Sequence, residues 1–197
     1  RALPAFARLE ANVANVRVRA AGTLAGNLAF AEPHADPPAL LIALGAHVVL
    51  EGTAGPRTLP VAEFITGMYE TALADDEIVV AIEVPIPARD ARVAYVKFQI
   101  LERPSVGVAA VATVRDGRFV GVPTVVVGAV DEMARAVPTE QFAGANARDA
   151  GTREAIAEAA RAAVEPTADL AGSVEYKRHL VGVFAERAID TLLAQAS

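Results

Sequence analysis

The chain has 197 residues, 53% of them hydrophobic but only 5% aromatic, and a formal net charge of −6. Lys and Arg form no extended run, which argues against a nucleic-acid-binding surface, and the absence of cysteine excludes disulfides and thiolate-bound metal or iron–sulfur centres within this sequence. A sequence without cysteine fits a cytoplasmic address, and since no apolar stretch is long enough to span a bilayer, we expect no membrane insertion.

The first half of the chain shows mixed helical and strand periodicity. In chain order, the pattern predicts a helix over residues 3–14, an extended segment over 16–19, a glycine-containing loop over 22–27, a short helix over 38–44, a strand over 47–51, turns over 52–60, a helical turn over 61–64 and a strand over 77–84. The paired prolines Pro85 and Pro87 end the last strand, and a linker follows over 88–92.

The second half begins with strands and ends with helices. Strands are predicted over 93–101, 106–115 and 119–128, with Asp116 and Gly117 as a hairpin turn and Pro123 at an edge or bulge. Helices follow over 139–145, over 152–164 with Thr152 as N-cap, and after Ser173 as N-cap. The chain therefore reads as two α+β units, residues 1–89 and 90–197.

Three positions attract attention as binding residues, each with an ordinary structural alternative. The small residues of 22–27 either form a simple turn or let backbone N–H groups approach an anion. Asp36 is either the N-cap of the following helix or an acceptor for a sugar or ribityl hydroxyl. Lys97, in an apolar strand, either points to solvent or places a positive charge beside an electron-rich ring.

Other catalytic classes have little support. The three histidines are far apart in sequence and lack a second ligand pair, so a metal site is not expected. Ser105 lacks the pattern of a nucleophile elbow, and no pair of carboxylates has the character of a glycosidase dyad.

Read together, five segments resemble the FAD-binding medium subunit of molybdenum hydroxylases, in the aerobic carbon monoxide dehydrogenase and xanthine dehydrogenase FAD-domain family. Residues 16–29 (VRVRAAGTLAGNLA) are similar to its motif QIRNxGTxGGNLA, and residues 32–41 (EPHADPPALL) to DPxADLPxAL. Residues 63–79 match FFxGxYxTxLxxxEIL at several positions. Residues 94–97 (AYVK) and the closing stretch from Asp169 to Ala188 resemble the family's C-terminal domain.

The resemblance implies specific roles for residues at the matched positions. Thr23, Gly26 and Asn27 would hold the FAD diphosphate and its surroundings, and Asp36 a hydroxyl of the cofactor. The remaining implied contacts are with the flavin itself: Ile78 and Val79 along the isoalloxazine edge, Lys97 near its polar rim and Tyr95 near the ring.

The same resemblance implies an architecture and partners. It predicts the second lobe of a PCMH-type FAD-binding fold (1–89), followed by a C-terminal domain in which a three-stranded antiparallel sheet packs on a helical bundle (90–197). The implied function is an oxidoreductase component that passes electrons from [2Fe–2S] clusters of a small subunit to an external acceptor, while substrate is oxidised in a large molybdopterin subunit.

Two departures from the family open an alternative. Ala25 stands where the family usually has a glycine, and nothing matches the family's N-terminal flavin-binding lobe. Three alternatives stay open for that lobe: a separate chain, a part of the polypeptide outside this sequence, or a real loss. Without that lobe the chain could instead be a structural or assembly module that no longer binds FAD tightly.

Overall fold

The structure, a computed structural model, describes residues 3–100 and 102–195. Its first unit contains, in chain order, α1 (Pro4–Ala11), α2 (Val16–Ala21), α3 (Leu24–Phe30), α4 (Pro37–Ala43), β1 (His47–Gly52), β2 (Gly55–Pro60), α5 (Val61–Phe64), β3 (Ile65–Gly67), β4 (Glu70–Thr71) and β5 (Ile78–Glu83). An antiparallel sheet with the order β2-β1-β5 carries the core of this unit. None of the helices in residues 3–100 and 102–195 is long and apolar enough to cross a bilayer.

The second unit is an antiparallel sheet with helices on one face. It contains β6 (Ala91–Ile100), β7 (Arg103–Arg115), β8 (Arg118–Gly128), β9 (Arg135–Ala136), a 3-10 turn (Glu140–Phe142), α6 (Ala150–Ala162) and α7 (Val174–Ala194). The strand order is β6-β7-β8-β9. The predicted α+β class and the three long strands are confirmed, and the two-residue β9 adds a short fourth strand that is too brief to give a periodic signal.

The C-terminal sheet is covered on both faces. Side chains of β7 and β8 on one face pack against α6 and α7 to form the larger core, which includes Val108, Val127 and Ile189. On the opposite face Ala109 and Val126 pack against Leu40 of α4. Because α4 also packs Leu41 into the core of the first unit, it is buried on nearly every side, and this explains its apolar sequence.

Several predicted elements differ from the observed ones for identifiable reasons. Residues 16–19 were predicted to be extended, but they form α2 because the Asn15 side chain accepts hydrogen bonds from the N–H groups of Arg17 and Val18. The predicted loop over 22–27 is helical from Leu24 onward, with Thr23 as its cap.

Two further corrections concern turns and caps. The segment predicted as turns contains β2, which pairs with β1 along its whole length. The predicted N-cap Thr152 lies inside α6, and its N–H donates to the true cap, Asp149. The cap predicted at Ser173 is confirmed by the hydrogen bond from Tyr176 N.

A glycine in β7 makes room for a tyrosine that reaches the first unit. Gly107 has no side chain on the face where Tyr95 of β6 crosses it, and a methyl group there would overlap the Tyr95 hydroxyl. Close packing at this point leaves no space for relaxation without moving Tyr95.

We expect Gly107→Ala to lower the free energy of unfolding by about 2 kcal/mol, because overpacking displaces Tyr95. Chemical denaturation measures this loss. In the Tyr95→Phe background the same substitution should cost less, since the hydroxyl that meets the methyl group is gone. An equal cost in both backgrounds would show that the Tyr95 hydroxyl is not the group that the methyl displaces.

Candidate functional site

The loop that opens α3 is the first part of the candidate site. Thr23 caps the helix: its Oγ1 accepts a hydrogen bond from Gly26 N at 2.9 Å. Thr23 and Gly26 are exposed, so a ligand can approach both the side chain and the backbone here. The sequence predicts these residues as cofactor contacts, and the fold leaves them accessible.

Asn27 supplies a polar atom without a partner. Its Oδ1 is buried and accepts no hydrogen bond from any residue in the described part of the chain. Buried acceptors are nearly always satisfied in folded proteins, so a ligand donor is an obvious candidate to complete this one. FAD carries hydroxyl and ring N–H donors, and the residues of this loop therefore fit such a cofactor.

The strand β5 lies next to this loop, since α3 packs against β5. Ile78 is 64% exposed, whereas Val79 is half-buried and packs against the core of the first unit. Neighbouring strand residues point to opposite faces. The two residues predicted to line the flavin therefore face different surroundings. Val80, which the sequence analysis did not single out, is also exposed, at 45%, and it lies where the register between β1 and β5 shifts.

An ion pair holds the segment before β5 in place. Arg57 donates from Nε and Nη2 to the two carboxylate oxygens of Glu77 at 2.6 and 2.7 Å. Glu77 also accepts a hydrogen bond from Ala74 N. The Arg57 guanidinium, followed by this backbone contact, lowers the pKa of Glu77 to about 2. The position of Ile78, one residue later, is thereby fixed by charge-assisted hydrogen bonds.

Asp36, Tyr95 and Lys97 form a second cluster, and they bind one another. Asp36 is only 2% exposed. Its Oδ1 accepts from the Tyr95 hydroxyl at 2.8 Å and its Oδ2 from Lys97 Nζ at 2.9 Å. Lys97 also donates to the carbonyl of Asn12 at 2.8 Å. The cluster therefore joins the first unit to strand β6 of the second.

This arrangement corrects the structural alternatives considered from sequence. Asp36 precedes α4 but its side chain makes no cap hydrogen bond, because both carboxylate oxygens face β6. Lys97 does not point to solvent, since its side chain is 14% exposed. The contacts of Asp36, Tyr95 and Lys97 with FAD stay predictions.

Burial perturbs the ionisation of this cluster. Desolvation raises the pKa of Asp36, while the Lys97 ammonium and the Tyr95 hydroxyl act to lower it, and burial prevails. Desolvation, reinforced by the Asp36 charge, raises the pKa of Tyr95 well above its ordinary value. Tyr95 is therefore a protonated donor at neutral pH.

A third polar group connects the two units through a histidine that sequence reasoning did not single out. His34 lies with Nδ1 3.3 Å from Glu32 Oε1 and Nε2 3.2 Å from Asp169 Oδ2. The buried Lys177 places Nζ 2.7 Å from the same Asp169 oxygen. Asp169 and Glu32 belong to matched motifs, but only the fold shows that His34 lies between them. Within residues 3–100 and 102–195, no cluster of three metal-binding side chains occurs.

Two family models match the chain. Residues 1–87 match the FAD binding domain in molybdopterin dehydrogenase, and residues 101–192 match the CO dehydrogenase flavoprotein C-terminal domain. The carbon monoxide dehydrogenase medium chain of Hydrogenophaga pseudoflava is 33% identical over 198 residues, which span 99% of this chain and 69% of the relative. This chain belongs to the carbon monoxide dehydrogenase medium-chain family. The assignment confirms the family predicted from the sequence motifs, together with the predicted oxidoreductase class and FAD cofactor.

Other relatives and solved structures agree with the family assignment. The nicotine 6-hydroxylase medium subunit of Paenarthrobacter nicotinovorans is 31% identical over 95% of this chain and 66% of the relative. The carbon monoxide dehydrogenase structure from Hydrogenophaga pseudoflava that lacks the Mo-pyranopterin moiety superposes with a TM-score of 0.93 at 32% identity, covering 99% of this chain and 69% of that one. Quinoline 2-oxidoreductase from Pseudomonas putida 86 gives a TM-score of 0.90 at 30% identity over 97% and 67%.

We expect Lys97→Met to destabilise this medium-chain homologue by about 3 kcal/mol at neutral pH, because it leaves the Asp36 carboxylate buried without a cation. The pKa of Asp36 rises further in the variant. A carboxyl group whose pKa is higher in the folded state than in the unfolded state contributes stability at pH values below its unfolded-state pKa. That contribution is lost as the pH rises through its folded-state pKa.

The stability loss of Lys97→Met should therefore shrink as the pH falls toward the ordinary range of aspartic acid. Denaturant unfolding at a series of pH values measures this trend. In the double variant Asp36→Asn/Lys97→Met the buried charge is absent, and the pH-dependent part of the loss should disappear. A loss that is the same at all pH values would rule out an ionised Asp36 as its cause.

Proposed function

We propose that this chain is the FAD-holding component through which a molybdenum hydroxylase complex passes electrons from [2Fe–2S] clusters to an external acceptor. Bound FAD supplies the redox chemistry, and the residues of this chain hold and orient it. Substrate oxidation belongs to a large molybdopterin subunit, and the clusters belong to a small subunit. The work of this chain requires no acid–base catalyst of its own.

The observation that carries the proposal is the loop from Thr23 to Asn27. It combines exposed small residues with a buried acceptor that has no partner among the described residues, within the region matched by the FAD-binding family model. A methyl group on Gly26 would lie 3.0 Å from Thr23 Oγ1, so the capping hydroxyl would have to shift to admit it. Ile78 and Val79, on the adjacent β5, complete the proposed contacts.

Asp36, Tyr95 and Lys97 are part of the proposed site because they hold the two units in place around it. Their mutual bonds fix α4, and with it the first unit, against β6. A cofactor held by the first unit and bordered by the second depends on this relation, because small displacements of positioning groups weaken a bound ligand strongly. We assign residues 1–89 to the cofactor lobe and residues 90–197 to the C-terminal domain.

The remaining parts of the proposal concern the assembly. The chain spans about two thirds of its relatives' length, and a first FAD-binding lobe, on a preceding segment or a separate chain, completes the cleft. A sequence without cysteine contributes no thiolate to the [2Fe–2S] clusters. We place the complex in the cytoplasm, where reduced thiol conditions suit its cluster-bearing partner.

We expect Asn27→Asp to weaken FAD binding at least about tenfold, because a second carboxylate oxygen replaces the amide and repels the cofactor's diphosphate. Quenching of FAD fluorescence measures the affinity, with the chain alone and with a first lobe supplied from a full-length relative. The control Gln141→Ala alters an exposed residue of the C-terminal domain and should bind as the unaltered chain does.

The assembled complex tests the electron-transfer part. Purified with its large and small subunits, it should show a visible flavin spectrum that bleaches on reduction of the clusters and recovers on addition of an acceptor. A complex of correct stoichiometry that contains the first lobe but no flavin would refute the proposal and favour an assembly role. Such a role would also follow if neither form of the chain quenched FAD.

A further inference from the structure

Three arginines meet at the end of the C-terminal sheet that carries the β7–β8 turn. Arg92 comes from β6, Arg115 from β7 and Arg148 from the loop before α6. They line one open cavity of about 620 Å³. The other lining residues are Val114, Asp116 and Gly117. Three separate segments thus bring guanidinium groups together in a chain whose net charge is −6.

Two of the three arginines are held by neighbouring groups. Arg92 Nη1 donates to the carbonyls of Leu192 and Leu193, at 3.1 and 3.4 Å, at the C-terminal end of α7. Arg115 Nη2 lies 2.6 Å from Asp90 Oδ2, and both side chains are largely exposed. An exposed ion pair of this kind contributes little free energy, so another anion can readily replace Asp90 at Arg115.

Arg148 has an exposed guanidinium that is available to bind a ligand. Its side chain crosses the hairpin turn, where a methyl group on Gly117 would lie 3.2 Å from Arg148 Cδ. Only its backbone takes part in hydrogen bonds within the described chain, and no described carboxylate lies within 4 Å of its guanidinium. The adjacent Asp149 is engaged in capping α6.

We propose that this cavity binds the phosphate groups of a small phosphorylated molecule. Guanidinium groups form bidentate hydrogen bonds with phosphate oxygens. Three arginines and Asp116 give the lining residues a net charge of +2, and the Asp90 carboxylate paired with Arg115 reduces the local charge to +1. A phosphate that displaces Asp90 from Arg115 therefore meets a cationic site. The volume lies in the range of small-ligand pockets, roughly 300–1,000 Å³, and exceeds what one phosphate ion fills.

The site is independent of the FAD proposal. Its residues belong to β6, β7 and the loop before α6, whereas the candidate FAD loop belongs to α3. Occupancy of one site therefore requires no residue of the other.

Titration with inorganic pyrophosphate and with ADP tests the proposal, followed by the arginine Nε–Hε signals in 1H–15N spectra. The first titration contains one equivalent of FAD, which fills the diphosphate contacts near Thr23 if that site exists. We expect saturable shifts of the Arg115 and Arg148 signals at low ionic strength, weakened by added salt. A parallel titration without FAD should give the same affinity for these signals.

Three variants make the test specific. Arg148→Gln should weaken pyrophosphate binding about tenfold, because it removes a charge-assisted bidentate contact. Asp90→Asn should tighten binding, because it releases Arg115 from its ion pair. Arg89→Gln changes an exposed arginine outside the cavity lining and should leave the affinity unchanged.

Unaltered signals from the core confirm that each variant is folded. Shifts that grow linearly and equally for all arginines would overturn the proposal, as would an Arg148→Gln variant that binds as the unaltered chain does. Shifts confined to Thr23 and Asn27 and abolished by FAD would also overturn it, while they would support the cofactor site.

Discussion

The placement of the two units depends on the hydrogen bonds that the buried carboxylate of Asp36 accepts from Tyr95 and Lys97. This carboxylate has almost no access to solvent, and its two oxygens are satisfied from a strand of the other unit. A charge in such a place is tolerated only when it is paired and hydrogen-bonded, and removing one partner leaves a large desolvation cost. The cluster therefore favours a single placement of α4 against β6, in addition to the apolar packing that α4 makes on both of its sides.

Apolar packing alone would specify this placement less sharply. The contact between α4 and the C-terminal sheet is built from small and aliphatic residues, Ala39, Leu40, Ala109 and Val126 among them. Such surfaces tolerate alternative packings of similar volume. The directional bonds to Asp36, and the carboxylate–histidine contacts of His34, add an orientation that the aliphatic side chains do not supply.

The sequence predicted the long elements and the family, but it did not predict how the candidate residues would meet. The strands of the C-terminal sheet and the helix after Ser173 follow from strong periodicity and a cap. Residues 16–19 were misread because alternation suggested a strand, while one hydrogen-bonding side chain at Asn15 was enough to start a helix. The pairing of Asp36 with β6 depends on a contact between residues about sixty positions apart, and no local pattern contains that information. The same holds for His34 and Asp169.

Tyr95 and Lys97 are two residues apart on β6, and therefore point to the same side of the sheet. Their alignment with Gly107 and Ala109 on β7 is set by the antiparallel register. A slip of one residue would turn both side chains to the face covered by α6 and α7. The hydrogen-bond ladder of the C-terminal sheet thus determines where the first unit packs against the second. A strand misaligned during folding would remove Tyr95 and Lys97 from Asp36, and the two units would not associate in the native way.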